Sequence, residues 1–83
     1  MTRVGLIRTT PESVLDDLGA VMRSAGYREH LDAAAETALK INISWHHWYP
    51  ACSTTPWQLD GVIRALRQDG FDPARLFGAH NRT

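Results

Sequence analysis

His46, Cys52 and His80 are the residue types that hold a zinc-like ion, because neutral imidazole and thiolate suit a tetrahedral borderline metal. Their spacing matches none of the short intervals of structural zinc sites. His46 and His47 also point to opposite sides if that stretch is extended. A divalent metal therefore requires the fold to bring His46, Cys52 and His80 together from the ends of neighbouring strands; otherwise one histidine packs among the tryptophans and another faces water. Cys52 lies three residues before Thr55, close to a helix start that would lower its pKa, and this makes it a candidate nucleophile. The competing role for a lone cysteine is that of a small buried hydrophobe.

A second set suits an anion. Ser53, Thr54 and Thr55 precede Pro56 at a helix start, where hydroxyls, unpaired N–H groups and the positive end of the helix dipole can hold a phosphate or carboxylate. Lys40 and Asn42, on the polar side of the preceding strand, would add a cation and an amide. The alternative is that Thr55 only caps the helix and Lys40 only faces solvent. Trp45, Trp48, Tyr49 and Trp57 crowd the same stretch as ligand platform, core or interface.

The elements that must position these groups follow from periodicity. Val4–Ile7 reads as a first strand. Thr10 and Pro11 then begin a helix whose apolar stripe runs through Val14, Leu15, Leu18, Val21, Met22 and Ala25, with Gly26 just past its end. Residues 28–38 are polar and alanine-rich, either a surface helical turn or an irregular connector. Leu39, Ile41 and Ile43 alternate with Lys40 and Asn42 in a second strand. Thr55 and Pro56 start a second helix with Leu59, Val62, Ile63 and Leu66 on one face, stopped by Gly70. Residues 75–80 form a third strand. The expected class is α/β, β-α-β-α-β with a small three-stranded parallel sheet, in one domain over residues 1–83. Two helices cover the two faces of such a sheet poorly, so the pattern reads as the incomplete N-terminal part of a larger α/β domain.

Composition narrows the partners. The 83 residues carry nine Lys plus Arg and nine Asp plus Glu, giving a net charge of zero with no basic run. That balance argues against nucleic acid and against an anionic membrane. One cysteine excludes an internal disulfide, and no iron–sulfur cluster can be held by this chain alone. A reducing, cytoplasmic setting is the expectation, with no signal peptide or membrane span in the sequence.

Four stretches carry a resemblance: Thr9-Thr10-Pro11-Glu12-Ser13-Val14-Leu15, Lys40-Ile41-Asn42-Ile43-Ser44-Trp45-His46, Tyr49-Pro50-Ala51-Cys52-Ser53-Thr54-Thr55-Pro56-Trp57-Gln58-Leu59, and Ala79-His80-Asn81-Arg82-Thr83. Together they resemble the start of the uncharacterised family known as domain of unknown function 362. The resemblance implies an α/β protein with a Lys-x-Asn strand, a Thr-Pro helix start and a strand ending in a polar residue. Some relatives carry ferredoxin-like iron–sulfur modules, from which this chain departs through its single cysteine. Family members are several times longer, so only their N-terminal portion is resembled.

Two functions follow as expectations, and whether the chain is an enzyme stays open. One is a segment of an enzyme-like domain with an anion site at Lys40, Asn42, Ser53, Thr54 and Thr55, or a metal site at His46, Cys52 and His80, at the strand ends. The other is a non-catalytic folding or interaction module that completes its sheet with a C-terminal portion or by self-association.

Overall fold

The computed structural model describes residues 2–42 and 53–80, His80 by its backbone alone. His46, His47, Cys52, Trp45, Trp48 and Tyr49 lie outside the described residues, so the metal and nucleophile expectations that rest on them do too.

Two helices and a two-stranded parallel sheet make up the regular structure. Helix α1 spans Val14–Ser24, strand β1 Thr37–Ile41, helix α2 Pro56–Gln68 and strand β2 Leu76–His80. The strands pair in parallel from Thr37 with Leu76 to Ile41 with His80. The helix between them supplies the crossover that a parallel pair needs. The second and third expected strands are therefore present, each within two residues of its predicted start.

The expected first strand is not. Residues 4–7 pair with neither β1 nor β2 and instead run along α1. Gly5 is what permits this. A Cβ at that position would lie 2.6 Å from the Val21 carbonyl oxygen and 3.2 Å from the Ala25 nitrogen, so backbone meets backbone. Arg3 anchors the preceding turn by packing on Gly26 and pairing with Glu29. The mixed α/β class stands, but with two strands where three were expected.

Helix α1 also starts later than Thr10 and Pro11 suggest. The Ser13 N–H donates to the Thr10 carbonyl at 3.2 Å, closing a turn with Pro11 in its favoured second position. Helical geometry begins only at Val14. Asp17 accepts from the hydroxyls of Thr9 at 2.6 Å and Ser13 at 2.7 Å, tying the turn to the helix. The stretch after α1 is a short 3-10 turn over Tyr27–Glu29 followed by turns around Asp32, whose carboxylate accepts from the Ala34 N–H.

The second helix behaves as its sequence says at both ends. Thr55 caps it, and Gln58 completes a reciprocal capping box. At the other end Gly70 has φ 94°, the Gly70 N–H bonds Arg67, and the Phe71 N–H bonds Leu66 at 2.9 Å, the paired closure of a Schellman motif. Phe71 is thereby turned inward, 4 % exposed, with its ring centroid 6.1 Å from that of Tyr27.

The core sits mainly between the helices. Gly19 of α1 faces Ala65, and Gly61 of α2 takes Leu18 so closely that a Cβ there would lie 2.4 Å from Leu18 Cδ1. Among the described residues the buried apolar side chains are Ala65, Leu66 and Phe71. On the sheet, Leu39 and Ile41 line a hollow with Leu59 and Ile63 of α2 and with Phe77, which is half-exposed, while Ala38 and Lys40 are exposed.

Candidate functional site

Backbone hydrogen bonds bring the two ends of the polar set together. The Thr54 N–H donates to the Asn42 carbonyl at 2.8 Å, and the Asn42 N–H donates to Thr54 Oγ1 at 2.9 Å. This double clamp fixes the end of β1 against the start of α2. Lys40, Thr54 and Gln58 then line one groove of about 360 Å³ with Leu39, Leu59 and Val62. Ser53 is half-buried beside the clamp.

The helix start itself has little left to offer an anion. Pro56 has no N–H, the Gln58 N–H is accepted by Thr55 Oγ1 at 3.4 Å, and Gln58 Oε1 accepts the Thr55 N–H at 3.3 Å. Capping thus engages the Thr55 and Gln58 donors of this first turn. Lys40 is exposed, and its Nζ donates to the Ile41 carbonyl at 3.1 Å. No carboxylate among the described residues lies within ion-pair distance of it. Position 80 lies across the sheet from Ile41, whereas Lys40 pairs with Ala79. The structure thus brings Lys40, Asn42, Thr54 and Thr55 into one neighbourhood and aligns His80, by register, with the next residue of the strand.

The strongest polar cluster lies elsewhere and joins the C-terminal ends of both helices. Asp69 accepts from the Tyr27 hydroxyl at 2.5 Å and from Arg23 Nε at 3.0 Å, while a second nitrogen of Arg23 reaches Gln68 at 3.1 Å. Burial, reinforced by the carboxylate it donates to, pushes the Tyr27 phenol up to about 12. Asp69 is held below the usual carboxylate value by the hydroxyl of Tyr27 and then by Arg23. Every member already has a partner, so the cluster acts as a clasp between helices. Sequence reasoning missed it because its members lie more than forty residues apart in the chain. The Gln58 half of the capping box, by contrast, was legible as Thr-x-x-Gln before an apolar run. Among the described residues no group of three or more His, Cys, Asp or Glu side chains is arranged to hold a metal.

A third feature is apolar. Val4 and Leu6 alternate with Gly5, and because Gly5 faces α1 they face solvent, 86 % and 94 % exposed. Farther along the same segment, Thr9, Thr10 and Pro11 form one wall of a hollow of about 630 Å³, closed by Val14, Leu15 and half-exposed Trp57. Isolated exposed apolar residues are ordinary, but two fully exposed branched side chains on an anchored arm beside an apolar hollow form a patch.

No protein-family model, curated protein or solved structure matches the chain.

Proposed function

We propose that this chain is an association module, a small α/β unit whose apolar arm and unfinished sheet are covered by another polypeptide. The observation that carries this reading is the fixed outward display of Val4 and Leu6. Arg3, Gly5 and Thr9 tether the arm on both sides of them, so the display is built in by the fold. A parallel sheet is also ordinarily covered on both faces, and Phe77 on this one is half-exposed. Light scattering on the purified chain across a hundredfold concentration range tests the reading. It expects a species heavier than one chain, or tight complex formation with a covering segment. A chain that stays monomeric, melts cooperatively at the same temperature throughout and takes up no covering segment contradicts it.

A second reading is favoured by the groove at Lys40, which holds an exposed ammonium group and the Thr54 hydroxyl with no opposing carboxylate among its lining residues. It would take a small phosphate or carboxylate, bound mainly by Lys40 and Thr54. Titration with inorganic phosphate, followed by amide shifts at Lys40, Thr54 and Gln58, tests it. Shifts that persist unchanged in Lys40→Ala would remove the groove as a binding site.

A further inference from the structure

We infer that the N-terminal arm is a strap: residues 3–9 lift off α1 as one unit while the rest of the chain stays folded, and two carboxylates, Glu29 and Asp17, hold it closed at its two ends. Closed, the strap fixes the outward display of Val4 and Leu6, so its opening would regulate the association proposed above. That consequence rests on the association reading, whereas the opening itself does not.

The arm runs back along α1 from the C-terminal end of the helix toward its start. Among the described residues, no backbone group of residues 2–9 is hydrogen-bonded to another backbone group. Secondary structure therefore does not hold it. Burial of its apolar side chains holds it little, because Val4, Leu6 and Ile7 are all exposed.

The attachments are polar and sit at the ends. Arg3 pairs with Glu29 at one end and lies over Gly26. At the other, the Thr9 hydroxyl donates at 2.6 Å to Asp17 Oδ2, which also accepts from Ser13 at 2.7 Å. Between these latches the arm has one seat, where Gly5 lies so close to α1 that a Cβ would meet the Val21 carbonyl oxygen at 2.6 Å. Val21 and Ala25 are what the strap covers there. One central seat and two end latches leave no point along the arm at which opening could stop, so it moves as one unit.

The latches are weak and the body does not need them. The Arg3 and Glu29 side chains are 46 % and 65 % exposed, and an ion pair in such a setting shifts an equilibrium by roughly two- to fivefold. Segments held by so few buried contacts open at a small fraction of the cost of global unfolding. The helices meet each other through Leu18 against Gly61 and Gly19 against Ala65, contacts in which the arm has no part.

NMR relaxation dispersion on the full chain tests the strap. Exchange should appear at residues 3–9 and at Val21 and Ala25 with one shared rate, and be absent at Gly61 and Ala65. Glu29→Gln and Thr9→Val should each raise the opening constant of the whole arm, the far end included, by roughly two- to fivefold, and the double variant by the product of the two. Gly5→Ala removes the seat and should leave the arm open outright, its resonances at random-coil positions and the helical circular dichroism retained. Effects confined to the end that each variant touches, exchange that spreads into the helix interface, an arm that stays rigid in all variants, or helices that unfold in Gly5→Ala would overturn the strap. Association is read separately. Where the wild type associates, Gly5→Ala should lose that association, and a folded Gly5→Ala chain that associates as tightly as wild type would overturn the regulatory consequence. A strap that opens as described in a chain that takes up no partner would overturn the association reading and leave the strap standing.

Discussion

At the scale of the residue, Asp69 joins the two helices by accepting from both Tyr27 and Arg23, and its role is legible through pH. Its folded carboxyl is held below the ordinary value of 3.8 by Tyr27 and Arg23. Stability from this source is therefore complete above that value and is lost as pH falls through the lower, folded one. Asp17 acts in the same direction through the hydroxyls of Thr9 and Ser13. Tyr27 has the opposite sign. Its proton is retained to about 12 in the folded chain against 10.0 in the unfolded one, so stability falls as pH rises between those values. We expect urea midpoints to drop on both limbs, and Tyr27→Phe to flatten the alkaline limb specifically. An alkaline limb unchanged by Tyr27→Phe would show that the phenol does not lie where the clasp requires it. Thr55 offers a second residue-scale test. Replacing it with alanine removes the cap on Gln58 and should cost about 1 kcal/mol in urea unfolding. If its hydroxyl instead served mainly to bind an anion, stability without added phosphate would be unaffected.

At the scale of the element, helix-to-helix contact depends on two missing side chains. Gly61→Ala puts a Cβ within 2.4 Å of Leu18 Cδ1 and 3.0 Å of Leu18 Cβ, so Leu18 must move. A loss of about 1–3 kcal/mol is expected, as for other overpacked cores. Gly19→Ala meets Ala65 Cβ at 3.3 Å and should cost less. The same pairwise logic explains what the sequence could and could not reveal. Both ends of α2 were readable because caps are local: Thr55-Pro56 at one end and Gly70 at the other impose φ angles and donors within four residues. The pairing of β1 and β2 followed from alternation and from the length of the helix between them. The arm was misread because Val4-Gly5-Leu6-Ile7 has the residue types of a strand, and whether it pairs or packs depends on Gly5 meeting Val21 and Ala25, a contact no local pattern encodes. The backbone clamp that joins Asn42 to Thr54 is equally invisible in sequence. Of the candidate site, its polar residues were legible. That capping engages its Thr55 and Gln58 donors was not.

At the scale of the whole molecule, the balance is between a small interior and a large surface. Among the described residues the buried apolar side chains are Ala65, Leu66 and Phe71, and a domain of this size has only a few kcal/mol of net stability to draw on. Covering Val4, Leu6, Phe77 and the hollow at Trp57 with another polypeptide would add burial that the single chain lacks. Stability should then follow concentration, because association stabilises by mass action. The most direct test is the weight-average mass from light scattering, measured with the melting temperature over a hundredfold range of chain concentration. The account predicts a mass that climbs above the 9.3 kDa of one chain, alone or with a covering segment, and a melting temperature that climbs with it. A mass fixed at one chain whatever segment is added, with a sharp melting transition independent of concentration, would contradict it.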